Sequence, residues 1–243
     1  MSTRLLLPGA QPGTARIEGD KFHYLVRVLR LAAGDALRVF DGAGLEFPAR
    51  VEALSDSDAV LSLGAAEAAP AGRPVWLLQG LPKADKLEWV VQKGTELGAT
   101  DFVPLSLERC VVKLDEARGG KKVQRWQTIA DEAARQCGRA DVPTVHAPRT
   151  LAAGLSGLPG GAALLVLDEE ARSPSLAEAL RALPGGQPVA LLVGPEGGLT
   201  RAEVDAARAA GGIPVTVGRR ILRTETAALV AVAAVQFVDG ELG

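Results

Sequence analysis

Val189-Ala190-Leu191-Leu192-Val193-Gly194-Pro195-Glu196-Gly197-Gly198 opens the stretch on which the reading of this chain turns, and Gly218-Arg219-Arg220-Ile221-Leu222-Arg223-Thr224-Glu225-Thr226-Ala227 closes it. The run Val189 to Val193 is short, continuous and apolar, which suits a strand buried on both faces of a parallel sheet. Thr200 and Glu203 carry capping-box spacing, so a helix is expected from there to about Ala210, with Gly211 and Gly212 stopping it. A second strand, Pro214 to Val217, ends at Gly218, and Thr224 is expected to cap a helix beginning near Glu225. Each glycine-marked loop follows a strand and opens a helix. Both helix N-termini should then face one edge of a parallel sheet, where ligands of open α/β folds bind, which predicts a small-molecule pocket.

Neither loop matches a common nucleotide fingerprint: Gly194 to Gly198 lacks both the GxGxxG spacing and the lysine of a phosphate loop. Glu196 would also repel a phosphate, so a neutral or cationic ligand is expected. The body of the last helix, Ala227 to Phe237, is apolar on every side and predicts burial all round, within the domain or against another subunit.

Working outward, the segment Ala65 to Pro74 is small, proline-containing and without apolar periodicity, and reads as a linker. It divides the chain into expected domains at residues 1–70 and 74–243. Ahead of it, alternating stretches such as Ala36 to Phe40 and Ala59 to Leu63, separated by Asp41-Gly42-Ala43-Gly44 and Asp56-Ser57-Asp58, predict a small β-barrel. There Lys21, His23, Arg27 and Arg30 fall at near-helical spacing, with Arg4 and Arg16 as extensions of a basic face suited to phosphates. Beyond the linker, Leu87, Val90, Val91, Gly94 and Leu97 predict an amphipathic helix over Lys83 to Gly98. Arg109, Lys113, Arg118, Lys121, Lys122 and Arg125 surround Gly119-Gly120 and read as a mobile basic loop. A helix is expected from Val123 to Cys137 with Trp126 in the core, and Arg139 at its break is a candidate contact to RNA or substrate.

At 243 residues the chain can bury one large or two ordinary cores. Cys110, Cys137, His23 and His146 have no metal-ligand spacing, so no metal site is expected. Neither a membrane span nor a signal peptide is predicted, making the cytoplasm the expected compartment. A net charge of −2 does not exclude RNA, because binding follows where charges sit rather than their sum.

The strings LLVGPEGGLTRAEV and VGRRILRTETAALVAVAAVQ resemble the paired signature of the small-subunit (16S) ribosomal RNA uridine N3-methyltransferases, the RsmE-like branch of the knotted SPOUT methyltransferases. The likeness extends to PKADKLEWVVQKGTELGA, PLSLERCVVK, RWQTIADEAARQCGR and HYLVRVLRLAAGD, covering nearly the whole chain. It implies an α/β fold: a SPOUT-type trefoil-knotted parallel-sheet methyltransferase domain behind an N-terminal PUA-like β-barrel that binds RNA. It also implies S-adenosylmethionine as methyl donor, ribosomal RNA or the small subunit as partner, and a homodimer built on the knot helices. By motif position the donor pocket involves Leu167, Gly194, Glu196, Gly197, Val217, Ile221, Leu222 and Thr226.

The uracil imide is protonated at neutral pH and lies on the pairing edge, so its methylation needs an unpaired base, loss of a proton and in-line attack. A guanidinium beside the carbonyls would stabilise the developing anion, and the resemblance puts Arg223 there. Glu225 or Glu196 is the expected proton acceptor or holds an arginine in place. Two other readings use the same residues: a catalytically silent RNA-binding ribosome-assembly protein, and a nucleotide-dependent α/β enzyme with an unusual glycine loop.

Overall fold

The computed structural model describes residues 3–112, 116–172 and 174–242, and the side chains of Glu116, Ala117 and Arg118 lie outside the description. The chain divides into two compact units, one of Met1–Ala71 with Ala134–Val142, the other of Gly72–Ala133 with Pro143–Gly243.

In the first unit the elements run β1 (Arg4–Leu6), β2 (Gly13–Glu18), α1 (Gly19–His23) continuing into a π-helical turn (Tyr24–Val28), then β3 (Ala36–Phe40), β4 (Leu45–Leu54), β5 (Asp58–Leu63) and β6 (Glu67–Ala68). The strands pair in the order β1-β3-β4-β5-β2, with β6 on β4, and every pairing but β1 with β3 is antiparallel. On β4, Phe47, Ala49 and Val51 point inward while their neighbours face water, the period-two alternation of a sheet covered on one side. Leu5, Ile17, Phe22, Leu25, Val39 and Leu61 complete that core.

The second unit contains β7 (Val75–Gly80), α2 (Lys86–Glu96), β8 (Asp101–Ser106), most of α3 (Glu116–Cys137), β9 (Thr144–Val145), β10 (Arg149–Thr150), α4 (Leu151–Ser156), β11 (Ala163–Leu167), α5 (Leu176–Arg181), β12 (Val189–Val193), α6 (Arg201–Ala209), β13 (Ile213–Val215) and α7 (Thr224–Asp239). Its sheet is parallel throughout, ordered β10-β8-β7-β12-β11-β13 with β9 beside β8. All five residues of β12 are buried, as expected of a central parallel strand. The full capping box forms at Thr200 and Glu203, and Trp126 is in the core.

Three local expectations change. Helix α3 begins at Glu116, so Gly119 and Gly120 are helical rather than the apex of a mobile loop. Lys113 and the side chain of Arg118 lie outside the described residues, and Arg125 is taken up by Glu88 at 2.7 Å. Thr224 does not cap α7, because its hydroxyl is used elsewhere and Arg223 occupies the N-cap without a side-chain bond. Helix α7 buries Ala228, Ala231, Val232 and Val235 but leaves Val230 and Phe237 exposed.

The far end of α7 is tied to the start of the unit. Arg73 donates from Nε and Nη2 to both carboxylate oxygens of Asp239 at 2.7 and 2.6 Å, with both side chains mostly buried. Removing one partner of such a pair strands a buried charge, at a cost of about 3–5 kcal/mol. At roughly 2–4 °C per kcal/mol for a chain of this size, Arg73→Met should lower the melting temperature by about 10 °C in calorimetry, and an unchanged midpoint would show the pair to be unimportant.

Candidate functional site

The loops after β11, β12 and β13 all open at the carboxyl end of the sheet and line one cavity of about 430 Å³. Its walls include Leu167 and Asp168, the first glycine turn from Gly194 to Leu199, and the second from Thr216 to Arg223. The first turn packs backbone on backbone. A Cβ on Gly194 would lie 2.7 Å from the carbonyl carbon of Gly198 and 2.8 Å from the nitrogen of Leu199, so only glycine fits. Gly198 adopts φ +70°, a left-handed conformation that glycine enters without steric cost.

A buried polar network joins the turns. The Thr224 hydroxyl donates to the carbonyl oxygen of Gly194 at 2.5 Å and accepts from Gln79 Nε2 at 2.8 Å. Gln79 is 1 % exposed, and its amide also reaches the Gly194 carbonyl oxygen at 3.3 Å. This placement explains why Thr224 is unavailable as a cap.

Of the acidic residues in the cavity wall, Glu196 and Asp168 are occupied, whereas Glu169 is exposed and makes no ion pair to another described residue. Glu196 accepts from Lys86 Nζ at 2.9 Å and from the Lys83 backbone N–H at 3.1 Å, and Lys86 Nζ also lies 3.3 Å from Glu225 Oε2. Burial works to raise the Glu196 carboxyl pKa, but the bonds from Lys86 and the backbone outweigh it and hold it below the usual range. Asp168, 5 % exposed, is gripped bidentately by Arg201 at 2.7 and 2.9 Å. That bond, with burial opposing it, keeps the Asp168 carboxyl below its ordinary value.

The basic residues divide differently. Arg219, Arg220 and Arg223 border the cavity, are exposed, and make no side-chain hydrogen bond or ion pair to another described residue. The charge of Glu196 is compensated within the protein by Lys86, and three guanidiniums stand open at the border of the cavity.

Of the predicted donor residues, Leu167, Gly194, Glu196, Val217, Ile221 and Leu222 line the cavity, as does Arg223. Gly197, Glu225 and Thr226 are not in its wall. Gly197 instead presents its carbonyl oxygen to Arg109 Nη1 at 2.7 Å, so the exposed Arg109 braces the first turn. Ile221 is 84 % exposed, turning its side chain to solvent.

Within the first unit, Lys21, His23, Arg27 and Arg30 are exposed and make no side-chain hydrogen bond or ion pair to another described residue. His23 does tilt its ring against Phe22. Arg30 takes φ +54°, uncommon for a residue with a side chain. The other basic candidates there have carboxylate partners, Arg4 and Arg139 with mostly buried side chains and Arg16 with an exposed one. Arg4 lies 4.9 Å over the Phe40 ring, pairs with Glu46 at 2.5 Å and donates to the Arg139 carbonyl oxygen at 2.9 Å. Arg139 pairs with Asp141, and Arg16 with Glu18 and Asp58. Arg4, Arg16 and Arg139 each have a carboxylate partner within the unit.

Sequence reading missed Lys86, Asp168, Arg201 and Gln79 as parts of the site. Lys86 falls near the start of the helix expected over Lys83 to Gly98, where no spacing in the sequence singles it out. The buried Gln79 in an apolar strand was a signal on its face, since a buried amide needs partners.

A family model for an RNA methyltransferase domain matches residues 69–236, and one for an RNA methyltransferase PUA domain matches residues 17–63. The parallel-sheet unit and the curled N-terminal sheet are those of the SPOUT-type knotted methyltransferases with a PUA-like domain. The chain is 39 % identical over 232 residues to ribosomal RNA small subunit methyltransferase E of Bacillus subtilis, covering 92 % of this chain and 90 % of that one. With the Synechocystis protein of the same name it shares 37 % identity over 236 residues, 96 % of this chain and 77 % of that one. The crystal structure of the Neisseria gonorrhoeae ribosomal RNA small subunit methyltransferase E bound to S-adenosyl methionine matches with a TM-score of 0.86 at 32 % identity, over 98 % of both chains. This chain belongs to the ribosomal RNA small subunit methyltransferase E family. Among the described residues there is no cluster of metal ligands and no helix long and apolar enough to cross a membrane.

The Asp168–Arg201 pair carries a pH signature. A carboxyl held below its unfolded value, near 3.8, stabilises the fold above that pH and loses the contribution as pH falls through the lowered value. Arg201→Gln should therefore be less stable than the unaltered protein at pH 7, with the difference shrinking towards zero as pH falls through the lowered Asp168 value. A gap independent of pH in chemical denaturation would contradict this.

Proposed function

We propose that this chain transfers a methyl group from S-adenosylmethionine to N3 of a uridine in small-subunit ribosomal RNA. The observation that carries the reading is the meeting of two glycine turns at one cavity, with Glu196 and Asp168 internally paired and three bordering arginines that are not. The donor fits that construction: backbone-walled turns admit an adenosine closely, and the open guanidiniums suit a carboxylate or phosphate. Leu167, Gly194, Glu196, Gly197, Val217, Ile221, Leu222 and Thr226 form the proposed donor site. When bound, S-adenosylmethionine supplies an electrophilic methyl group on a sulfonium.

The chain's own residues supply orientation and charge. Arg223, unpaired at the cavity, is placed to stabilise the anion that develops on the uracil carbonyls as N3 loses its proton. Glu225 is the proposed proton acceptor. Glu196, saturated by Lys86 and the Lys83 N–H, is less suited to that task. Residues 1–70 supply the RNA-docking role through Lys21, His23, Arg27 and Arg30, and residues 74–243 the chemistry. Val230 and Phe237, exposed on α7, are the proposed contact with a second copy, and the cytoplasm is the proposed compartment.

Mass spectrometry of ribosomal RNA from cells lacking this protein tests the reading: one N3-methyluridine should be missing and return on treatment with purified protein and donor. An unchanged methyl pattern contradicts it. Arg223→Ala should lower kcat by about 10²–10³ with the melting temperature unchanged, and full activity would remove Arg223 from its role. Replacing Lys21, Arg27 and Arg30 together with Ala should flatten the salt dependence of RNA affinity by roughly 2 in log-log slope; an unchanged slope would mean that these charges do not meet phosphate.

A further inference from the structure

Besides Arg30, Ala84 is the other non-glycine residue in the left-handed region among those described, at φ +53°. It sits in the turn between β7 and α2, where nothing in the sequence favours such a backbone: an L-residue with a Cβ is disfavoured there, and strain of this kind persists only where surrounding contacts over-determine it. Those contacts are present. The N–H of Lys83, immediately before Ala84, is held by Glu196 at 3.1 Å, and the Lys86 ammonium just after it is held by the same carboxylate at 2.9 Å. One carboxylate therefore grips both sides of the strained residue. The preceding Gly80 is pressed against the same loop, since a Cβ there would lie 2.7 Å from Pro195. Lys86 passes the link onward to Glu225 at the start of α7.

We propose that Lys86 and Glu196 form a clasp that positions the donor site, with Glu196 holding the strained turn at Ala84 and Lys86 joining the first glycine turn to the start of α7. Both are positioning residues. Their ion pair fixes the spacing of the walls before a ligand arrives, which lowers the ordering cost of binding. This rests on the reading that the two turns bind S-adenosylmethionine.

Calorimetric titration of the full chain with S-adenosylmethionine, without RNA, tests the clasp. Lys86→Met and Glu196→Ala should each weaken donor affinity at least tenfold, while Lys86→Arg, which keeps the charge, should stay within threefold of the unaltered protein. Adding Ala84→Gly to Glu196→Ala should restore most of the loss, because glycine adopts the turn without being held. A merely structural contact would not be rescued in this way. If Lys86→Met does not fold, Glu196→Gln decides, with an expected loss of at least threefold. Affinity within twofold of the unaltered protein in Lys86→Met and Glu196→Ala overturns the proposal, as does failure of Ala84→Gly to rescue. Weakened RNA affinity with intact donor affinity in Lys86→Met also overturns it, making Lys86 an RNA contact. Absence of donor binding by the unaltered protein would instead remove the functional reading on which the clasp rests.

Discussion

The hydrogen bond from the Thr224 hydroxyl to the Gly194 carbonyl oxygen is the contact on which the site depends. It joins residues thirty positions apart, and Gln79 from a third strand closes it from the buried side. In a low-dielectric interior such groups are costly to leave unmade, so the network fixes the two turns against each other. Gly194 is required because the returning chain at Gly198 and Leu199 leaves no room for a side chain. With its hydroxyl committed, Thr224 leaves the N-cap of α7 to Arg223, whose guanidinium stays free.

The charges sort themselves around that frame. Glu196 and Glu225 meet Lys86, Asp168 meets Arg201, and the carbonyl oxygen of Gly197 meets Arg109. Left unpaired at the cavity are three cations, Arg219, Arg220 and Arg223, against one carboxylate, Glu169. A protein of net charge −2 thus presents three open guanidiniums where a polyanion would approach, because Glu196 and Asp168 are paired internally at this point. The first unit follows the same logic, with Arg4, Arg16 and Arg139 neutralised in place and Lys21, Arg27 and Arg30 left open.

The elements with strong local signals were readable in advance: the apolar run of β12, the capping box at Thr200 and Glu203, the alternation on β4, and the amphipathic face of α2. Convergence of the two glycine turns also followed, since parallel strands put their C-terminal loops on one edge. What escaped was partner choice. Arg4, Arg109 and Arg139 look like any surface arginine in sequence, and only the fold brings Glu46, the Gly197 carbonyl oxygen and Asp141 to them. Gly119 and Gly120 suggested a loop because glycine weakens helices, yet flanking helix formers and the packing of Trp126 carry α3 through them. The threading of the C-terminal chain came from family resemblance alone, as sequence patterns hold no trace of a knot.

The most direct measurement is a crystal structure of this chain with S-adenosylhomocysteine, the demethylated form of the donor. The account predicts the nucleoside bound between the Gly194–Leu199 turn and the Thr216–Leu222 segment, with Arg223 open to the face where the methyl group would emerge. A ligand bound elsewhere, or those two segments clear of it, would contradict the central claim.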